Sequence, residues 1–122
     1  MGETIEIVRG TTNSFEIALK DETGAFYTMQ PDEIMRFGVK DRVSFVGCKL
    51  VNTKYILVKE ITYENINSKG NAYVLTLRPE DTENMEFRGY SYDIGLQSGT
   101  DYFNVVPCSD FKLCQNITSR EG

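Results

Sequence analysis

The sequence predicts an all-β fold: one domain, residues 1–122, built as an immunoglobulin-like two-sheet antiparallel β-sandwich of about seven or eight strands, with one short helical turn near residues 79–86. Three observations predict it. Apolar residues recur at every second position in short runs, the period of a strand with one buried face. Glycine, proline, asparagine and aspartate separate those runs at intervals of roughly ten to twenty residues, as turns between strands require. No βαβ alternation is present and only one weak helix signal, so neither a helical bundle nor a doubly wound parallel sheet is expected.

The elements follow in order. Ile5 and Ile7 alternate within Thr4 to Val8 and give a first strand, and Arg9-Gly10-Thr11-Thr12-Asn13 reads as a bend. Phe15, Ile17 and Leu19 alternate with Ser14, Glu16, Ala18 and Lys20 in a second strand, closed by the turn residues Asp21-Glu22-Thr23-Gly24. Ala25 to Thr28 reads as a short edge strand, and Gln30-Pro31-Asp32-Glu33 as a breaker. Met35, Phe37 and Val39 form the next strand, in which Gly38 marks a bulge or a close approach to the backbone. Asp41 to Thr53 carries Val43, Phe45, Val46 and Val51 around Gly47, and fits a weak strand or a loop that tucks apolar side chains under the sheet.

Tyr55 to Ile61 is apolar on both sides, with Tyr55, Leu57 and Ile61 on one and Ile56 and Val58 on the other, so a strand covered on both faces is expected. A polar loop over Glu64 to Asn71 leads to Tyr73, Leu75 and Leu77, whose strand must stop at Pro79 for want of an N–H. Pro79 suits the first position of a helix, and Glu80, Asp81 and Glu83 place negative charge at its start, with Met85 and Phe87 as apolar anchors. After Gly89, Tyr90, Tyr92, Ile94 and Leu96 alternate strictly with Ser91, Asp93, Gly95 and Gln97 in the clearest strand of the chain. Ser98-Gly99-Thr100-Asp101 is a hairpin turn; Tyr102 to Val106 pairs back, Pro107 interrupts, and Phe111 and Leu113 open a last strand that fades at Asn116-Ile117-Thr118. Leu77, Asp81, Gly89, Tyr90 and Tyr92 form a strand end, an acidic turn and a tyrosine entering the next strand. That is the pattern of a corner in which a tyrosine hydroxyl bonds back to upstream backbone.

Composition narrows the function. A content of 40% hydrophobic and 25% charged residues belongs to an ordinary globular domain. No apolar run approaches the length that spans a bilayer and no secretory leader is read at Met1, so no membrane partner is expected and synthesis is cytoplasmic. The net charge of −5 comes without a stripe of Lys or Arg, so no nucleic-acid partner is expected. Histidine is absent, which removes the commonest general base at neutral pH and the commonest transition-metal ligand. The three cysteines, Cys48, Cys108 and Cys114, lack CxxC spacing and read as buried free thiols. No enzyme, cofactor, metal or small-molecule ligand is expected on these grounds.

Glu80, Asp81, Glu83 and Glu86 read as a solvated helix start, because a calcium loop would need alternating Asp/Asn ligands with a glycine. Asp93 reads as a solvent-facing or hydrogen-bonded residue of the sheet. Of the aromatics Phe26, Tyr27, Tyr55, Tyr63, Tyr73, Tyr90, Tyr92, Tyr102 and Phe103, most read as core or corner residues, leaving Phe26 and Tyr27 as exposed anchors and the candidate interface. The Asn116-Ile117-Thr118 sequon reads as incidental.

A family resemblance adds to this. The order Arg9-Gly10-Thr11-Thr12, Phe15 to Gly24, Ile34 to Lys40, Leu77-Arg78-Pro79-Glu80-Asp81-Thr82, Gly89-Tyr90-Ser91-Tyr92-Asp93-Ile94, then Phe111 with Ile117-Thr118, resembles the small β-sandwich domains of bacteriophage and prophage tail or baseplate proteins. It is similar to the N-terminal domain of baseplate upper proteins. The likeness covers most of the chain and is weakest over Asp41 to Thr53. It implies a non-enzymatic virion structural protein that assembles with copies of itself and with other tail or baseplate proteins. Such domains often continue into a coiled coil or receptor-binding region, whereas this chain stops at Gly122, so host recognition is not expected of it. The alternative is a carbohydrate-binding β-sandwich module, which requires a row of exposed rings on one sheet face. An enzyme would need two acids facing one another across a pocket at about 5 to 10 Å, and no such pair is predicted.

Overall fold

A computed structural model describes residues 4–41, 45–46, 49–50, 55–86 and 89–114. Within them the alternating runs form strands β1 (Ile5–Val8), β2 (Asn13–Ile17), β3 (Glu33–Asp41), β4 (Phe45–Val46), β5 (Lys49–Leu50), β6 (Tyr55–Ile61), β7 (Tyr73–Leu77), β8 (Gly89–Ser98) and β9 (Asp101–Cys114). One α-helical turn, α1 (Pro79–Thr82), and one 3₁₀ turn (Tyr63–Asn65) accompany them. The fold is all-β. Five strands make a mixed sheet in the order β1-β9-β8-β3-β6, β2 and β7 make a two-stranded ribbon, and β4 and β5 a small hairpin.

The expectation of a wholly antiparallel sandwich does not hold at one edge, where β1 runs parallel to β9 with Ile5 opposite Phe111. Parallel neighbours need a long connection, and here most of the chain lies between the two strands, so no tight turn dictates their direction. In place of a second full sheet there are the two-stranded β2–β7 ribbon and the β4–β5 hairpin.

One core unites the layers. Met35, Phe37 and Val39 of β3, Tyr90, Tyr92, Ile94 and Leu96 of β8, and Phe111 and Leu113 of β9 are buried in one cluster with Tyr73, Leu75 and Leu77 of β7. The Phe37 ring lies 5.6 Å from Tyr92 and 6.1 Å from Phe111 in tilted contacts, and Tyr92 meets Phe111 edge-on at 6.5 Å. Aromatic pairs of this kind add about 0.5–1.5 kcal/mol beyond the area they bury.

The buried tyrosine hydroxyls are partnered. Tyr73 Oη accepts the Met29 N–H at 2.6 Å. Tyr90 Oη accepts the Glu86 N–H at 3.0 Å and donates to the Glu86 carbonyl at 3.1 Å, the backward bond that the corner pattern predicted. At α1, Asp81 Oδ2 accepts the Arg78 N–H at 2.7 Å and pairs with Lys59 Nζ at 3.1 Å. The buried Thr82 Oγ1 accepts the Gly10 N–H at 2.9 Å, and Arg9 Nη1 donates to the Met85 carbonyl at 2.9 Å. These two bonds dock the β1–β2 turn onto α1.

Several sequence expectations are corrected. Pro107 does not interrupt its strand: β9 runs through it, because the β8–β9 register shifts between the Tyr92–Ser109 and Ile94–Val106 pairs, and the missing N–H falls where no regular ladder needs it. Ala25 to Thr28 forms no strand, only an isolated bridge from Lys20 to Phe26 above an Asp21 turn whose Oδ1 accepts the Thr23 N–H at 2.8 Å. β6 is not covered on both faces; it is the sheet's edge strand, and Ile56 and Val58 are exposed. Cys108 is exposed and Cys114 half-buried, so these two are not the buried thiols expected. Of Asp41 to Thr53, the β4–β5 hairpin is described, with Phe45 opposite Leu50. Cys48, Phe87 and Asn116-Ile117-Thr118 lie outside the described residues.

Candidate interaction surface

Phe26 and Tyr27, the residues predicted as exposed anchors, are half-buried and packed against the core. Phe26 stacks on Tyr73 with centroids 5.7 Å apart. The Tyr27 hydroxyl donates to the Glu33 carboxylate at 3.0 and 2.8 Å, which also accepts the Gln30 N–H at 2.7 Å. Burial alone would favour the neutral acid, but the Gln30 amide, the Tyr27 hydroxyl and Ser98 outweigh it and hold the Glu33 pKa below its ordinary value. The same bond, with burial and the Glu33 charge, raises the pKa of Tyr27. Both rings close one end of the core through partners distant in sequence or hidden in a turn, which local reading could not supply.

The rings that are exposed lie elsewhere. On β3, Arg36, Gly38 and Lys40 alternate with the core residues, and on β8 Asp93, Gly95 and Gln97 do, so all six belong to the sheet's outer face. The Tyr55 ring lies over Gly38 and the Tyr102 ring over Gly95; a Cβ at either glycine would fall within the tyrosine above it. Packed over these glycines, Tyr55 stays 47% and Tyr102 58% exposed. The Tyr55 hydroxyl donates to the two Asp93 oxygens at 3.2 Å each, and Lys40 Nζ stands 5.1 Å from the Tyr55 ring centre. Arg36 is held by Glu60 at 3.1 Å and by Gln97 Oε1 at 2.6 Å. A shallow hollow of about 240 Å³ is lined by Arg36, Gly38, Tyr55, Val58, Asp93 and Tyr102.

Electrostatics follow from that geometry. Partial burial, then the Asp93 charge and its hydrogen bond, push the Tyr55 pKa up to about 12. Asp93 is the hydrogen-bonded sheet residue that the sequence suggested. The hollow offers two exposed aromatic rings, an acceptor and a guanidinium, which suits stacking and hydrogen bonding.

The β6 edge adjoins this face, and two clefts open on the side of the core residues. β6 pairs, among the described residues, with β3 alone, so its outer backbone edge is unpaired by any described strand, and Ile56 is 45% and Val58 48% exposed along it. Between the layers, an open cleft of about 740 Å³ runs past Phe15, Ile17, Tyr92, Ile94 and Val106, and a neighbouring one of about 670 Å³ past Leu19, Leu96 and Phe103. Among the described residues, no group of three or more His, Cys, Asp or Glu could hold a metal ion, and no helix is long and apolar enough to cross a membrane.

Sequence reading missed Tyr55, Tyr102, Phe103 and Tyr63, all exposed, while Tyr73, Tyr90 and Tyr92 are core as read. Alternation groups Tyr55 with Leu57 and Ile61, but a register shift between Val39 and Lys40 sets it opposite Lys40, an outer-face residue. A signal was present in the interior glycines of β3 and β8, since glycine inside a strand marks a close approach. No protein-family model, no curated protein and no solved structure matches the chain.

Proposed function

We propose that the protein is a non-enzymatic assembly component, a phage or prophage virion protein of the tail or baseplate, that works through contacts between copies and with neighbouring virion proteins. One observation carries the assembly part of this reading: the edge strand β6 combines an outer backbone edge, unpaired by any described strand, with exposed Ile56 and Val58. Monomeric proteins blunt such edges with charge, proline or a covering element, because an open apolar edge recruits another strand. The tail and baseplate part rests on the resemblance in motif order, and the sheet and the β2–β7 ribbon would then be the two leaves of a reduced immunoglobulin-like sandwich. Sedimentation of the full chain tests self-assembly: a mass above that of one chain, rising with concentration, is expected, and a single-chain mass at every concentration contradicts it.

A second reading, saccharide binding, is favoured by the exposed Tyr55 and Tyr102 side chains packed over Gly38 and Gly95 beside Asp93 and Arg36. Exposed aromatic rings with a polar handle suit stacking against sugar rings. Titration with oligosaccharides, followed by tyrosine fluorescence, tests it: saturable binding that Tyr102→Ala abolishes supports it, and an unchanged signal removes it.

A further inference from the structure

We infer that two copies of this chain join edge to edge through β6, antiparallel about a twofold axis at Leu57, to make one continuous ten-stranded sheet from two five-stranded ones. The inference rests on the self-assembly reading above and names its surface, partner and register.

The partner follows from the strand's complementarity to itself. In a continuous antiparallel sheet, residues directly opposite share a face, so the twofold axis must pass through a residue of β6. An axis at Leu57 sets Ile56 of one copy opposite Val58 of the other, twice over, and so covers both exposed aliphatic side chains with each other. It also sets Leu57 opposite itself. An axis at Val58 would set Ile56 opposite Glu60 and Leu57 opposite Lys59, four apolar-to-charged pairs, and an axis at Lys59 would oppose two ammonium groups. Opposite side chains contribute about 0.2–1 kcal/mol per favourable pair and like charges oppose pairing, so the Leu57 axis wins.

The backbone permits this register in either phase. Alternate β6 residues turn their N–H and C=O groups toward β3, and the others turn them outward. An axis through a residue maps the outward set onto the outward set of the second copy, so the outward groups from Ile56 to Val58 meet partners, and the register shift next to Tyr55 ends the regular overlap there. The register shift between Val39 and Lys40 turns Tyr55 to the outer face, so Tyr55 lies beyond the regular overlap, while Lys59 is held on its own copy by Asp81 at 3.1 Å.

The test uses the full chain carrying Cys108→Ser, which removes the cysteine that is exposed among the described residues. Ile56→Cys and Val58→Cys are prepared separately, sedimented, and oxidised alone and as an equal mixture. Both positions are exposed, so the strands should persist, and far-ultraviolet dichroism checks that they do. The inference predicts a disulfide-linked dimer from the mixture and little from either variant alone, and predicts that Val58→Lys, counted twice by symmetry, weakens the dimer about tenfold or more. Efficient cross-linking of Val58→Cys with itself overturns the register. A multimeric mass with no β6 cross-link, unaffected by Val58→Lys, overturns the surface and leaves self-assembly standing elsewhere; a single-chain mass throughout overturns both.

Discussion

Gly38 and Gly95 each leave room for a tyrosine that any side chain there would displace. Because Tyr55 and Tyr102 are half-exposed and swing outward easily, Gly38→Ala is expected to cost little stability and to free Tyr55 from Asp93. The readout is tyrosine ionisation: one group should titrate near pH 12 in the wild type and return toward 10 in the variant. Since the folded-state value is the higher one, the stabilisation linked to Tyr55 is full below pH 10 and is lost as pH rises toward about 12. Glu33 works in the opposite direction. Its folded-state pKa lies below the ordinary 4.5, so its contribution is present above that pH and lost as pH falls through the folded value, and Glu33→Gln should flatten acid unfolding curves in that window. Tyr90→Phe removes both bonds to Glu86 and is expected to cost about 1–3 kcal/mol in denaturant unfolding, about 0.5–1.5 kcal/mol for each hydrogen bond lost.

At the level of elements, what the sequence declared best is what alternation alone decides. β3, β7 and β8 each show apolar residues at every second place, and each buries that set: Met35, Phe37 and Val39; Tyr73, Leu75 and Leu77; Tyr90, Tyr92, Ile94 and Leu96. Alternation says nothing about which neighbour a strand acquires. Thus β6, apolar on both sides, reads like an interior strand and stands at an edge, and β1 reads like any strand and pairs parallel. Phe26 and Tyr27 lie outside regular alternation, and their burial depends on Tyr73 and Glu33, which no local pattern names. The junction of α1 with the β1–β2 turn is testable at Thr82. Thr82→Val keeps the shape but leaves the Gly10 N–H without its acceptor, and a loss of about 1–3 kcal/mol is expected by chemical denaturation.

For the molecule as a whole, the five-stranded sheet has two ends of different character. β1 is four residues long, and β6 is seven residues long with exposed aliphatic side chains, so β6 is the end with more to gain from a partner. Assembly through β6 and any use of the Tyr55–Tyr102 face meet at Tyr55, which touches both. The most direct measurement is hydrogen exchange of the peptide containing Tyr55–Ile61, read by mass spectrometry at low and at high protein concentration, with the β1 peptide as internal control. The account predicts that β6 amides gain protection as concentration rises while β1 is unchanged. Exchange at β6 that is independent of concentration, across a range in which the mass of the particle grows, would contradict it.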